Sequence, residues 1–420
     1  MIGARPVMAL VVSAVTALGL AACSSSGGKS SADAGASSAA GAGGSTRLNL
    51  PAYKLVSIQD QAGNNADLIK AGATAAIDEI NASGGINGHP LELTYCGTNN
   101  DPNVAAQCAR SAVADSSVLA LTSNSTSYTT NIDPVLEKAG VPLIGGVPFS
   151  QGDFTSKIAF NANPGALGTP AEGIMIIKQL KGTKIGVPYV DVPAGAGIKP
   201  LMEAIAGPQG GTVVGSVPIP ITAADVTSQA AAVASAKPDG IVDALLTPQM
   251  VAFIKAYRQQ GGTAPFVVGT NQLGARTIKK QLAGADNDIY AAAWFDYQSG
   301  GYKEYQADMA KYQPKADDPT NDLTAAAWMN LKMFAMAAEK TLKAAPSAPL
   351  TRSALLATMN GWTDFNLGDM TRTIDFSKPQ AALGGSFSRI SNPYYYPVQY
   401  KDGEYVSMNN NTAVNLFTGN

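Results

Sequence analysis

The sequence predicts an α/β protein made of two sets of parallel βαβ units. Between residues 53 and 144 short β-type runs alternate strictly with amphipathic helical segments. The same alternation restarts near residue 168 and continues to residue 293. A dense polar cluster, Leu121-Thr-Ser-Asn-Ser-Thr-Ser-Tyr-Thr-Thr130, follows directly on the apolar run Val118-Leu-Ala-Leu121. Strict alternation implies right-handed crossovers and a parallel sheet. Two such sets imply two lobes with a cleft between them. In sheets of this kind ligands bind where strands end and helices begin, and free helix N–H groups there favour anionic groups. The polar cluster stands at such a place. Its Ser and Thr side chains serve equally as helix caps and turn formers, so both readings stand at this point.

The first residues fall outside this pattern. Arg5 is the only charge before the apolar run 7–20, which is short for a bilayer span and suits a secretory signal. Leu20-Ala-Ala-Cys23 resembles a bacterial lipobox, which implies cleavage after residue 22 and lipidation of Cys23. An ordinary signal with an incidental Cys is the alternative. Residues 23–47 follow as a tether; 24–45 are nearly all Ser, Gly and Ala, with Lys29 and Asp33 the only charges. That composition cannot bury a core and behaves as a flexible coil. The expectation is a globular body held by a lipid on Cys23 at the outer face of the cell membrane.

The remaining body is long enough for two domains. Charged residues make up 14% of the chain, the formal net charge is −2, and no basic run appears, which argues against a nucleic-acid partner. Beyond Cys23 the cysteines are Cys96 and Cys108. An even pair in an exported chain reads as a disulfide, on the order of 3 kcal/mol in the chain-entropy model; two buried free thiols are the alternative. The single His89 has no neighbours at metal-ligand spacing. No metal or cofactor is expected.

In chain order, 53–58 reads as a strand and 61–65 as a polar loop. A helix opened by Asp67 carries Ile69, Ala73, Ile77 and Ile80 near a 3.6 period and stops at Gly84-Gly85. Residues 91–95 form the next strand, and Asp101-Pro102 begins a helix as N-cap and N1. Strands are predicted at 118–122 and 141–144, with a helix from Asp133-Pro134 between them. The second set gives helices over 168–180, 198–206, 225–236 (capped by Asp225), 248–260 and 278–282. Its strands fall at 184–189, 212–217, 240–245, 265–269 and 289–293. Helices follow at 303–312, 322–342 and 351–359; the stripe Trp328, Leu331, Ala335, Ala338, Leu342 reads as core packing. Late strands at 371–376, 386–390, 394–400 and 405–408 are expected to extend the sheets.

Several segments resemble the type I periplasmic binding proteins of the branched-chain amino acid (leucine/isoleucine/valine) class, the substrate-capturing parts of ABC importers. They are Ala76-Ile-Asp-Glu-Ile-Asn-Ala-Ser-Gly-Gly-Ile-Asn-Gly88 with Leu91-Glu-Leu93, Asp225-Val-Thr-Ser-Gln229 with Ala236-Lys-Pro-Asp-Gly-Ile241, and Phe253-Ile-Lys-Ala-Tyr-Arg-Gln-Gln-Gly261 into Ala264-Pro-Phe266. The likeness covers roughly 53–342. It implies two Rossmann-like lobes joined by three crossovers, lobe 1 being 48–166 plus 296–372 and lobe 2 being 167–295 plus 373–420. Hinge closure over a solute is the implied motion.

The resemblance also places ligand contacts. On lobe 1 they are Asn65 in the first loop, Ser123, Asn124, Ser125 and Thr126 after the third strand, and Val147 and Phe149 after the fourth. On lobe 2 they are Tyr189, Asp191, Thr247 and Asn271. The family usually has a Tyr near Thr247 and an acid near Asn271 to hold an α-ammonium, and this chain has neither. A neutral Asn supplies no charge-assisted bond to a cation. The solute is therefore expected to be an amino acid, amide, polyol or small carboxylate. Asp191 either restores the negative charge or is a solvated loop carboxylate. Tyr128 and Trp294 are further candidate apolar walls.

No Gly-x-Ser-x-Gly elbow or Walker pattern is present, and His89 sits in the turn Asn87-Gly-His-Pro90. Nothing in the sequence pairs carboxylates as a glycosidase dyad. The expected function is a non-enzymatic, monomeric solute-binding component docking an ABC permease. A lipid-anchored sensor signalling to a membrane partner is the alternative.

Overall fold

The computed structural model describes residues 50–60, 65–273, 280–282, 288–402 and 404–420. The signal sequence, Cys23 and the tether lie outside the described residues. So do 61–64 of the first loop and 278–279 of the helix expected over 278–282.

The first set of units gives β1 (Tyr53–Gln59), α1 (Asn65–Ala82), β2 (Leu91–Gly97), α2 (Pro102–Ala114), β3 (Val118–Leu121), α3 (Thr129–Ala139), β4 (Leu143–Ile144) and β5 (Ala159–Phe160). The strands form a parallel sheet in the order β2-β1-β3-β4-β5. Local chemistry explains the boundaries. Asp101 Oδ1 accepts from Asn103 N at 2.6 Å and Val104 N at 3.3 Å, so α2 begins at Pro102 with its first donors satisfied. Gly140 ends α3 at φ +62°, where a glycine is favoured. A disulfide joins Cys96 of β2 to Cys108 of α2.

The second set gives α4 (Gly168–Lys178), β6 (Lys184–Val190), α5 (Pro193–Ala196), α6 (Ile198–Ala206), β7 (Thr212–Ile219), α7 (Thr227–Ser235), β8 (Gly240–Val242), α8 (Thr247–Gln259), β9 (Phe266–Val268), α9 (Thr270–Leu273) and β10 (Ile289–Ala293). Its parallel strands run β7-β6-β8-β9-β10, the same relative order as in the first sheet. The chain then returns to the first core through α10 (Gly300–Tyr312), α11 (Asp322–Ala344) and α12 (Arg352–Gly361). It ends in β11 (Gln380–Ala382), β12 (Phe387–Ile390), β13 (Tyr394–Lys401), β14 (Glu404–Ser407) and β15 (Val414–Asn415).

Each sheet has its own apolar core on either face. In the first, α11 passes close enough to α1 that a Cβ at Gly72 would meet the Thr324 carbonyl. Trp328 is buried there, as its helical stripe requires, and its indole N–H donates to Asp308 Oδ2 at 2.9 Å. The second sheet packs Ile241, Phe253 and Phe266 on one face and Ile174, Ile185 and Val242 on the other.

The late strands β13, β14 and β15 extend the second sheet as expected; they join antiparallel, so that sheet is mixed. Four expectations need correction. Residues 371–376 do not form a strand: Ile374 makes a single bridge to Phe365, and Phe376 is buried among Phe160, Trp362 and Phe365 in the first core. Residues 387–390 pair only with β11, in a separate two-stranded sheet. Two helix starts also move. Asp225 lies outside α7 and accepts from Thr227 N at 2.9 Å in a local turn, and α3 begins at Thr129 while Asp133 is buried within it.

Candidate functional site

In a doubly wound sheet of order 2-1-3-4-5 the switch point lies between the first and third strands, where crossovers leave in opposite directions and a crevice opens. That point is β1/β3 in the first sheet and β6/β8 in the second. A cavity of about 690 Å³ is lined from both. The first sheet contributes Asp60, Asn65, Ser125 and Ser127, and the second contributes Gly197, Asp243, Ala244 and Leu245. Glu172 of α4, Asn271 and Gln272 of α9, and Trp294 after β10 complete the polar and aromatic wall. Phe149, Phe154, Leu167, Leu201 and Phe387 give it a large apolar share.

Of the residues expected from the sequence, Asn65, Ser125, Phe149 and Asn271 line this cavity, as does Trp294. Phe149 is 38% exposed. Its loop is fixed from beneath by Asp153, whose Oδ2 accepts from Phe149 N and Ser150 N, both at 3.0 Å. Burial pushes the Asp153 carboxyl up to about 7. Asn271 has its carbonyl held by Asn321 Nδ2 at 2.8 Å, and its Oδ1 lies over Gly269.

The other expected contacts are engaged elsewhere. Ser123 is fully buried with φ +52°, an uncommon conformation for a non-glycine; its N–H donates to the Gly145 carbonyl at 2.7 Å and its carbonyl accepts from Ser57 Oγ at 2.9 Å. Asn124 Oδ1 accepts from Ile58 N at 2.9 Å, tying β3 to β1. Thr126 donates to Asp60 Oδ1 at 2.7 Å. Val147 is buried in the first core, and its N–H donates to the Asn124 carbonyl at 2.8 Å. Tyr189 pairs with Ala244 at the end of β6, Asp191 is exposed, and Thr247 is the first residue of α8; none is in the cavity wall. Tyr128 donates to the Asn100 carbonyl at 2.7 Å on the outer side of its loop.

Three carboxylates in the wall were not expected: Asp60, Glu172 and Asp243. Asp60 is saturated. It accepts from Thr98 Oγ1 at 2.6 Å, Thr126 Oγ1 at 2.7 Å and Ser127 N at 2.8 Å. Glu172 and Asp243 are 2% and 5% exposed. Glu172 Oε2 accepts from Asp243 N at 2.9 Å and Asp243 Oδ1 from Leu245 N at 3.1 Å, while Asp243 Oδ2 has no partner. Burial, and then the charge of Asp243, pushes Glu172 well above the carboxylate range. Burial pushes Asp243 up to about 7. A signal for Glu172 was present in the sequence: it is the lone acid in the otherwise apolar stretch Pro170-Ala-Glu-Gly-Ile-Met-Ile-Ile177. Among the described residues no group of three or more His, Cys, Asp or Glu is placed to hold a metal ion, and no helix is long and apolar enough to cross a membrane.

The cavity is lined by residues at the strand ends of both sheets, and its described wall contains no histidine or cysteine. This geometry is that of an open cleft at the switch points of two doubly wound sheets, the place where such folds bind ligands. The chain belongs to the periplasmic binding protein family, whose model matches residues 53–395. Members of this family are binding proteins, not enzymes. No curated protein sequence matches it. Solved structures match in fold. An extracellular ligand-binding receptor from Verminephrobacter eiseniae aligns with a TM-score of 0.69 at 21% identity, over 84% of this chain and 99% of that one. A fatty acid ABC transporter substrate-binding protein from Thermomonospora curvata gives 0.70 at 19%, over 87% and 92%. The branched-chain amino acid transporter substrate-binding protein of Streptococcus pneumoniae, solved with isoleucine, gives 0.61 at 18%, over 85% and 98%.

Proposed function

We propose that this chain is the extracytoplasmic, lipid-anchored solute-binding component of an ABC importer, capturing a small solute between its lobes and delivering it to a membrane permease. The observation that carries this reading is the cavity of about 690 Å³ set between the two strand-order switch points. Its volume suits a metabolite-sized ligand. The structurally similar proteins from Thermomonospora curvata and Streptococcus pneumoniae, substrate-binding proteins of a fatty acid and a branched-chain amino acid transporter, support it.

On this reading the lobes are 48–166 with 296–372 and 167–295 with 373–420, and Asn65, Ser125, Phe149 and Asn271 touch the solute. Ser123, Asn124, Thr126 and Val147 shape the loops around it. Closure is a rigid-body rotation about the three crossings. Contacts already span the cleft rim: Gln151 Nε2 donates to the Ser386 carbonyl at 3.2 Å, and the Phe154 and Phe387 rings lie 4.9 Å apart. Cys23 would carry the lipid.

Mass spectrometry of the solute that co-purifies, followed by small-angle scattering with and without it, tests the proposal. Compaction on binding is expected; an unchanged profile with a tightly bound solute overturns hinge closure. Metabolic labelling with a fatty acid should mark the wild-type protein and not a Cys23→Ala variant. Loss of uptake of that solute on deletion of the gene is expected for an importer. Intact uptake would assign the cleft to a sensor.

A further inference from the structure

We infer that the cleft selects a small organic cation, an ammonium or amidinium group carrying an apolar portion, and that Glu172 and Asp243 receive its charge. This rests on the solute-binding reading and names the class of solute. The polar loop of the first lobe is where an anion would be expected, yet two of its donors are taken by the protein's own Asp60. The Thr126 hydroxyl and the Ser127 N–H both end on that carboxylate. An incoming carboxylate would have to displace Asp60 or lie beside it. The opposite wall is built the other way. Glu172 and Asp243 are held together by the Asp243 N–H and are almost wholly buried, and Asp243 Oδ2 is without a partner. A buried, unpaired carboxylate oxygen is costly unless something supplies a donor. Among the described residues of the cavity wall there is no Lys, Arg or His. The missing donor is therefore expected on the ligand.

The remaining wall fits an organic cation better than a metal ion. No cluster of metal-ligating side chains is placed there among the described residues. Trp294, Phe149 and Leu201 offer apolar and aromatic surface, and aromatic faces attract ammonium and guanidinium groups. The arrangement also couples binding to protons. No charged side chain other than Asp243 acts strongly on Glu172, and Asp60, across the cleft, is the only other acid in the described wall. In the ligand-free cleft the pair holds a proton near neutrality, because burial penalises two adjacent charges. A cation favours the ionised pair, so binding releases a proton and strengthens as pH rises.

Thermal shift and calorimetry on the purified full chain test this with three probe classes. The cations are benzylamine, agmatine and 1,4-diaminobutane; the anions are phenylacetate and butanoate; the neutral probes are phenylacetamide and acetamide. At pH 8 at least one cation should bind and raise the melting temperature, with affinity falling several-fold at pH 6. Glu172→Gln should weaken that binding at least tenfold while leaving the ligand-free melting temperature unchanged or higher. Asp243→Asn, measured in parallel, keeps the test open where one variant fails to fold. Binding of an anion or neutral probe with the cations silent overturns the inference and leaves the solute-binding reading standing, as does cation binding undiminished in both variants. Silence from all three classes counts against the solute-binding reading itself and takes this inference with it.

Discussion

On the first-sheet side of the cleft, the Asp60 carboxylate takes the hydroxyls of Thr98 and Thr126 and the Ser127 N–H. On the second-sheet side, Glu172 accepts from the Asp243 N–H and Asp243 from the Leu245 N–H, and Asp243 Oδ2 is left unpartnered. The two walls stand at equivalent places, each at the switch point of a sheet with the same strand order. Equivalent topology therefore does not imply equivalent chemistry. A polar cluster whose bonds close on themselves holds structure together, whereas one left open stands ready for a partner. The richest polar stretch of the sequence belongs mostly to the first kind.

The largest expected effect tests whether the first wall is structural. Asp60→Ala strands three donors and should lower stability by about 2–3 kcal/mol, the scale of losing bonds to a charged group. Urea unfolding reads this directly, and unchanged stability would erase the contrast between the walls.

The second wall should show itself in the pH dependence of stability. Glu172 and Asp243 titrate above their ordinary range when folded. Between the unfolded carboxylate range and about pH 7 the folded state thus binds more protons than the unfolded one, and stability falls as pH rises. Ligand-free protein should melt lower at pH 8 than at pH 5. Asp133, Asp153 and Asp322, pushed up by burial to about 8, 7 and 6, contribute with the same sign. Glu172→Gln should make the slope shallower, and a slope identical to wild type would place the pair's titration elsewhere.

The smallest effects separate neighbours within one loop. Ser125 lines the cavity and Thr126 faces Asp60. Ser125→Ala should cost about 0.5–1.5 kcal/mol of affinity for the tightest-binding amine probe, with stability unchanged. Thr126→Ala should cost a similar amount of stability with affinity unchanged. Calorimetry paired with thermal melts checks both, and exchanged outcomes would reverse the roles assigned here.

Much of this was legible in the sequence because it depends on local periodicity. Strand–helix alternation, the Asp101-Pro102 helix start and the Trp328 stripe follow from spacings of a few residues, and the Cys96–Cys108 pair was read from an even cysteine count in a chain with an export signal. The tail was harder. Residues 371–376 have strand composition, but the side chains of Ile374 and Phe376 are drawn into the first core, where pairing with a sheet is replaced by packing.

The sequence by itself determined the α/β class, the doubled architecture and the presence of polar loops at strand ends, since hydrophobic period and turn chemistry are written residue by residue. Only the tertiary structure decided which of those polar groups are already spent. Thr126 lies 66 residues from Asp60, and Glu172 lies 71 from Asp243. Whether a donor or acceptor is free depends on partners that far away along the chain, and no local pattern records them.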